Sequence, residues 1–115
     1  MDDCIFCKIL SNLSPADKIL ESDRVLVIED KYPQAPKHYL VIPKKHISDM
    51  LSVGEEDRQL VWEMFNAVRE VVRKKKSLGE QGFRTVINNG VYGGQTVDHL
   101  HMHILCGRPM SWPPG

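Results

Sequence analysis

An excess of charge of one sign is what this sequence lacks most plainly. Its 115 residues carry 15 Lys and Arg against 15 Asp and Glu, a formal net charge of +0 at pH 7. A binder of polymeric nucleic acid shows a basic footprint, so that class is excluded. A single nucleotide needs only local donors and stays open. No apolar run approaches the roughly 20 residues of a membrane-spanning helix. The start, Met1-Asp2-Asp3, is acidic and unlike the basic opening of a signal peptide. Cysteine is scarce and odd in number, three in all, which argues against a disulfide framework. Repeats and linker-like stretches are absent. The expectation is one domain over residues 1–115, soluble and cytoplasmic, with no membrane partner and enough chain to bury a core.

What is present is concentrated. Three of the five histidines fall within five positions, in His99-Leu100-His101-Met102-His103-Ile104-Leu105-Cys106. In an extended strand, side chains at i, i+2 and i+4 share a face. His99, His101 and His103 would then form a row, with Leu100, Met102 and Ile104 turned into a core. A helix would scatter the rings, so period two favours a strand.

The remaining chain frames that row. Ile5, Phe6, Ile9 and Leu10 have helical spacing and suggest a short helix over 4–12, closed by Ser14-Pro15. Strands are expected at Lys18–Glu21 and 24–28, as a hairpin around Ser22-Asp23. Two prolines punctuate a loop over 30–36. A buried strand over 39–42 stops at Pro43. Ser52-Val53-Gly54-Glu55 reads as a capping box, opening a long helix to about Leu78. Its apolar stripe is Leu60, Val61, Met64, Phe65, Val68, Val71 and Val72, and Gly79 is its expected terminator. The run Arg73-Lys74-Lys75-Lys76 reads as a solvated helix end matched to the dipole. A further strand is expected over 83–88, then a Gly-rich loop from Asn89 to Thr96. Hairpin-like connections suggest an α+β architecture, an antiparallel sheet with helices on one face.

Two chemistries suit the histidine row. Imidazoles at i and i+2 stand about 6–7 Å apart and can converge on one ion. The outer two are about 13 Å apart, which excludes a three-histidine site on the strand alone. Two of them plus a carboxylate stay possible. Alternatively, imidazole with a reference pKa of about 6.5 is an unprotonated nucleophile near neutral pH. The middle ring, His101, is the natural choice, flanked by His99 and His103. Gly93-Gly94-Gln95-Thr96 could bring backbone amides and a hydroxyl to a phosphate, and Asn88 could add a donor.

The pattern His99-Leu100-His101-Met102-His103-Ile104-Leu105 resembles the signature of the histidine triad (HIT) superfamily. Ile5-Phe6, Lys8-Ile9, Pro33-Gln34-Ala35-Pro36, Val41-Ile42-Pro43-Lys44-Lys45-His46-Ile47-Ser48, Asn88, Gly93-Gly94-Gln95-Thr96-Val97 and Trp112-Pro113-Pro114-Gly115 resemble its Hint branch of nucleotide-binding phosphoramidases. The resemblance implies a five-stranded antiparallel sheet with one long and one short helix, extended across a homodimer. It implies cleavage of purine nucleoside phosphoramidates or related mixed anhydrides at the α-phosphorus. His101 would form a covalent nucleotidyl intermediate. His103, Asn88, Gly94, Gln95, Thr96 and Val97 would hold the phosphate, and Asp30 would accept from the ribose hydroxyls. Ile5, Phe6, Ile9 and Ile28 would line the base slot, and Trp112 lies in a tail that reaches the partner's site.

Cys4 and Cys7 depart from the animal-type members of that branch. Other members of the superfamily carry such a pair as structural zinc ligands, which implies a Cys4, Cys7, His46 and His99 set here. Two thiolates and two imidazoles make a closed tetrahedral shell, leaving hydrolysis to His101. A redox Cys-x-x-Cys and two idle thiols stand as the other readings. Cys106 reads as a buried small residue, and His38 receives no role. Asp98 is expected to face away from the row. A dinucleoside-polyphosphate hydrolase on the same fold, and a nucleotide-binding interaction module with residual activity, remain alternatives to the phosphoramidase.

Overall fold

The computed structural model describes residues 3–74 and 76–115, with side chains for 3–74 and 79–115. Met1, Asp2 and Lys75 of the acidic start and the basic run lie outside the described residues. Five strands form one antiparallel sheet: β1 (Lys18–Glu21), β2 (Val25–Glu29), β3 (Lys37–Pro43), β4 (Phe83–Val86) and β5 (Met102–Cys106). Their order is β1-β2-β3-β5-β4. The helices are α1 (Ile5–Leu10), α2 (Arg58–Lys74), α3 (Lys76–Gln81) and a single turn, α4 (Gly90–Gly93). Among the described residues no helix is long and apolar enough to cross a membrane.

The sheet is covered on both faces, not one. Leu60, Met64, Val68, Val71 and Val72 of α2 pack against Val25, Val27, Tyr39, Val41, Leu100, Met102, Ile104 and Cys106. On the opposite face, Phe6 and Ile9 of α1 pack with Leu26, Ile28, Leu40 and Ile42. The signal for this was Val25-Leu26-Val27-Ile28, apolar at every position and buried at every position. An unbroken apolar run belongs to a strand covered on both sides.

The histidine segment keeps its alternation, although only Met102 onward joins the sheet. Leu100, Met102, Ile104 and Cys106 enter the α2-side core. His101 meets the α1 side, edge-on to Phe6. Register pairs Leu40 with His103 and His38 with Leu105. Strand alternation therefore puts His38, Leu40 and Ile42 on the face that carries the triad.

Three local expectations are corrected. Ser52 does not cap α2; it ends a 3-10 turn capped by Asp49, whose Oδ1 accepts from the Ser52 N–H at 3.0 Å. A second 3-10 turn (Glu55–Asp57) leads into α2, held by the Gly54 N–H donating to Asp57 Oδ2 at 2.9 Å. Asp57, buried between Gly54 and the Lys45 ammonium at 2.7 Å, is the better acceptor because its charge is paired. Gly79 lies inside α3, close against the Val72 carbonyl, and Gly82 at φ +96 makes the left-handed exit. Phe65 is 54% exposed; Ala67 occupies the core beside Met64 and Val68 instead.

Candidate functional site

Backbone partners fix the protonated nitrogen on His99 and His101 directly, and on His103 through His38. A carbonyl only accepts. His101 Nδ1 lies 2.7 Å from the His99 carbonyl, so Nδ1 carries the proton and Nε2 holds the lone pair. His99 Nε2 lies 2.8 Å from the Pro43 carbonyl, so its lone pair is on Nδ1. The Gln34 N–H donates to His38 Nδ1 at 3.0 Å, which leaves the proton of neutral His38 on Nε2. That nitrogen lies 2.8 Å from His103 Nδ1, so His103 accepts there and carries its own proton on Nε2. His103 Nε2 is buried and has no partner among the described residues. The site thus presents a lone pair on His101 beside a free N–H donor on His103, with ring centroids 5.1 Å apart.

Burial holds His99, His101 and His38 below the usual imidazole range. Burial, with His101 and His38 nearby, pushes His103 down to about 4. All four rings are neutral near pH 7, as a nitrogen nucleophile requires.

A second constellation sits at the start of α1. Cys4, Cys7, His46 and His99 offer one ligand atom each, all within 4.8 Å of one another. Cys4 Sγ is 3.3 Å from His99 Nδ1, Cys7 Sγ is 3.6 Å from it, and Cys7 Sγ is 3.2 Å from His46 Nδ1. A tetrahedral ion with Zn–S of about 2.3 Å and Zn–N of about 2.0–2.1 Å has S···N edges of about 3.6 Å. The observed edges are close to that, and His99 already turns its lone pair inward. The donor set therefore fits a closed Cys2His2 zinc shell. Without a cation, burial and the neighbouring Cys4 raise the Cys7 thiol above its ordinary range; coordination reverses that preference.

Asp30, His38 and His103 form another group with ligand-type geometry. A metal there would need the lone pair of His38 Nε2. The Gln34 N–H occupies Nδ1 as a donor, so Nε2 keeps its proton and the group is a hydrogen-bonded chain instead. Asp30 Oδ2 lies 3.4 Å from His38 Nε2, and its Oδ1 accepts from the Tyr32 N–H at 2.7 Å.

A family model described as "Scavenger mRNA decapping enzyme C-term binding" matches residues 3–112. An uncharacterized HIT-like protein of Synechococcus elongatus is 44% identical over 114 residues, 99% of this chain and 98% of its own length. The crystal structure of a HIT family hydrolase from Legionella pneumophila is 41% identical with a TM-score of 0.94, covering 98% of this chain and 100% of that one. A histidine triad protein from Clostridium difficile gives 40% and 0.91 over 96% of both chains. The chain belongs to the HIT superfamily.

Within this HIT domain the other expected residues divide. Phe6, Ile9 and Ile28 share one apolar cluster with Leu26, Leu40 and Ile42, and Val97 packs on its edge. Ile5 stays outside it, 42% exposed. Ile5 lines a shallow cleft of about 400 Å³ with Asp3, Cys4, His46, Thr96, Val97 and Asp98. Asp98 is exposed on that cleft. Asn88 is half-buried just past β4.

Gln95 is committed to backbone groups of its own loop and of the segment after β3. Its Nε2 donates to the Ser48 carbonyl at 2.8 Å and the Val97 carbonyl at 3.0 Å, while its Oε1 accepts from the Gly90 N–H at 3.0 Å. Trp112 is 83% exposed at the tail. His38, set against His103, is the residue of this group that sequence reasoning left without a role. Its alternation with Leu40 and Ile42 was the available signal.

Proposed function

We propose that this HIT protein is a nucleotide-binding hydrolase or transferase of the Hint type, acting on purine nucleoside phosphoramidates or related mixed anhydrides. One observation carries the reading: His101 Nε2 has a free lone pair beside the unpartnered N–H of His103. His101 Nε2 attacks the α-phosphorus as the bond to the leaving amine or phosphate breaks. The departing group takes up a proton from solvent. His103 Nε2–H donates to a non-bridging oxygen, a fixed dipole aimed where charge accumulates. Water then attacks phosphorus and gives up a proton to solvent, the P–Nε2 bond breaks, and the nucleoside monophosphate leaves with His101 neutral again.

Asn88, the Gly94 region, Thr96 and Val97 complete the phosphate site, with Gln95 holding their loop. Asp30 accepts from the ribose. Ile9, Ile28 and Phe6 provide the apolar surface near the base, with Ile5 at its margin. A zinc ion on Cys4, Cys7, His46 and His99 would supply structure, tying α1 to the sheet. Among the described residues the outer edge of β4 pairs with no strand, which suits a homodimer whose sheet continues across subunits and whose Trp112 tail reaches the partner's site.

The test is a rate comparison of adenosine phosphoramidate with diadenosine polyphosphate, on the wild type and His101→Ala. The proposal expects preference for the phosphoramidate and a loss of at least 1000-fold in the variant (of the order of 10³ and more for a lost nucleophile). Preference for the dinucleotide overturns the substrate class. Turnover surviving in His101→Ala overturns the covalent mechanism.

A further inference from the structure

Phe6 lies between the two cysteines and touches two triad histidines at once. Its ring meets His99 edge-on at 5.7 Å and 82°, and His101 edge-on at 5.0 Å and 76°. Phe6 is 5% exposed, so its position is set by where α1 docks. The helix that carries it has only six residues and buries only Phe6 and Ile9. A helix that short does not hold itself together in water. Two sets of contacts dock it, the packing of Phe6 and Ile9 on the sheet and the Cys4 and Cys7 sulfurs that converge on His46 and His99.

His99 belongs to both constellations. Its Nδ1 faces the two thiols at 3.3 and 3.6 Å. Its main-chain carbonyl accepts from His101 Nδ1 at 2.7 Å and so decides which nitrogen of His101 is nucleophilic. The His46 ring stacks edge-on against His99 at 4.7 Å and 85°. Two paths therefore lead from the Cys–His group to the nucleophile. One passes through the His99 residue to its carbonyl. The other passes through α1 to the face of the Phe6 ring.

We propose that a metal ion at Cys4, Cys7, His46 and His99 positions the nucleophile, with Phe6 as the positioning residue that transmits its docking to His101. This deepens the reading given under Proposed function and rests on it. A purely structural ion would stabilise the fold and leave the His101 ring indifferent. A positioning ion makes ring order and covalent capture depend on occupancy while the sheet persists. The competing anchor is the Pro43 carbonyl, which already holds His99 Nε2 at 2.8 Å; were it sufficient, the ring would not respond.

The experiment uses the full chain with zinc ions as the probe, stripped with a chelator and reloaded. Zinc content is measured by mass spectrometry, and the His101 ring by long-range proton–nitrogen NMR. On stripping, the β2, β3 and β5 amides should keep their shifts. The His101 Nδ1–H signal should broaden or exchange with water, and zinc should restore it. Cys7→Ser should reproduce the stripped state. Phe6→Leu should bind one zinc per chain and yet slow kcat about tenfold and broaden the His101 Nδ1–H signal as stripping does; should Cys7→Ser not fold, this variant carries the test. Zinc uptake with an unchanged His101 signal overturns the coupling alone. A chain that takes up no zinc overturns the coupling and the structural-zinc reading together, whereas absent turnover with a zinc-responsive ring would indict only the proposed reaction.

Discussion

Replacing Gln95 by Ala separates two roles that the same residue could play. If its amide grips the substrate phosphate, the substitution weakens binding and leaves stability alone. In the structure its amide instead makes three hydrogen bonds, to Ser48, Val97 and Gly90. These join the Gly-rich loop to the segment that follows β3. Each such bond contributes about 0.5–1.5 kcal/mol net. Partial exposure of the loop favours the lower half of that range, so the loss should be about 2 kcal/mol. For a domain of this size that lowers Tm by about 8 °C. Urea and thermal unfolding of Gln95→Ala measure it. A loss below about 0.5 kcal/mol (less than one such bond), joined to a large rise in KM, would refute the scaffolding role and return Gln95 to the phosphate.

Three further outcomes are expected. Gly107→Ala places a Cβ 2.8 Å from the Pro36 ring at φ +98; both strain and clash oppose it, and unfolding should show a loss of about 2 kcal/mol or more. His38→Ala removes the donor that fixes the His103 tautomer, so KM should rise roughly tenfold, about 1.4 kcal/mol, with near-native circular dichroism; an unchanged KM would contradict the tautomer assignment. His103 sits near 4 when folded against about 6.5 unfolded, because burial and the neighbouring His101 and His38 disfavour its charge. The unfolded chain then binds more protons between those values, so the contribution is intact above pH 6.5 and is lost as pH falls toward 4. Urea midpoints should drop across that window and drop less in His103→Asn.

The triad was legible because its information is local. Period two with apolar partners fixes which side of the strand each ring takes, and Leu100, Met102 and Ile104 hold it there. The role of His38 is not local. It depends on β3 pairing with β5, which sets a residue 65 positions away against His103. Reading His38 as part of the post-Pro36 loop hid that alternation. The cysteine pair was visible, but convergence with His46 and His99 needed the family resemblance and then the fold to bring three segments together.

The helix start was misread for a physical reason. Ser52 and Glu55 satisfy the capping spacing, yet Asp57 wins because Lys45 arrives from outside the window to pair its charge. The helices were expected on one face because the hairpin-like connections suggested a simple antiparallel layer. The run from Val25 to Ile28, apolar on both sides of the strand, already required a second cover. Gln95 was assigned to the phosphate by the family resemblance. Its actual partners are backbone groups up to 47 residues distant, which no spacing rule exposes.

The most direct measurement is intact mass spectrometry under denaturing conditions, milliseconds to seconds after mixing the protein with adenosine phosphoramidate. The account predicts a transient adenylyl adduct, mapped to His101 and missing in His101→Ala. Substrate consumed in single turnover with no adduct at any time would contradict it, and would mean that water attacks phosphorus directly.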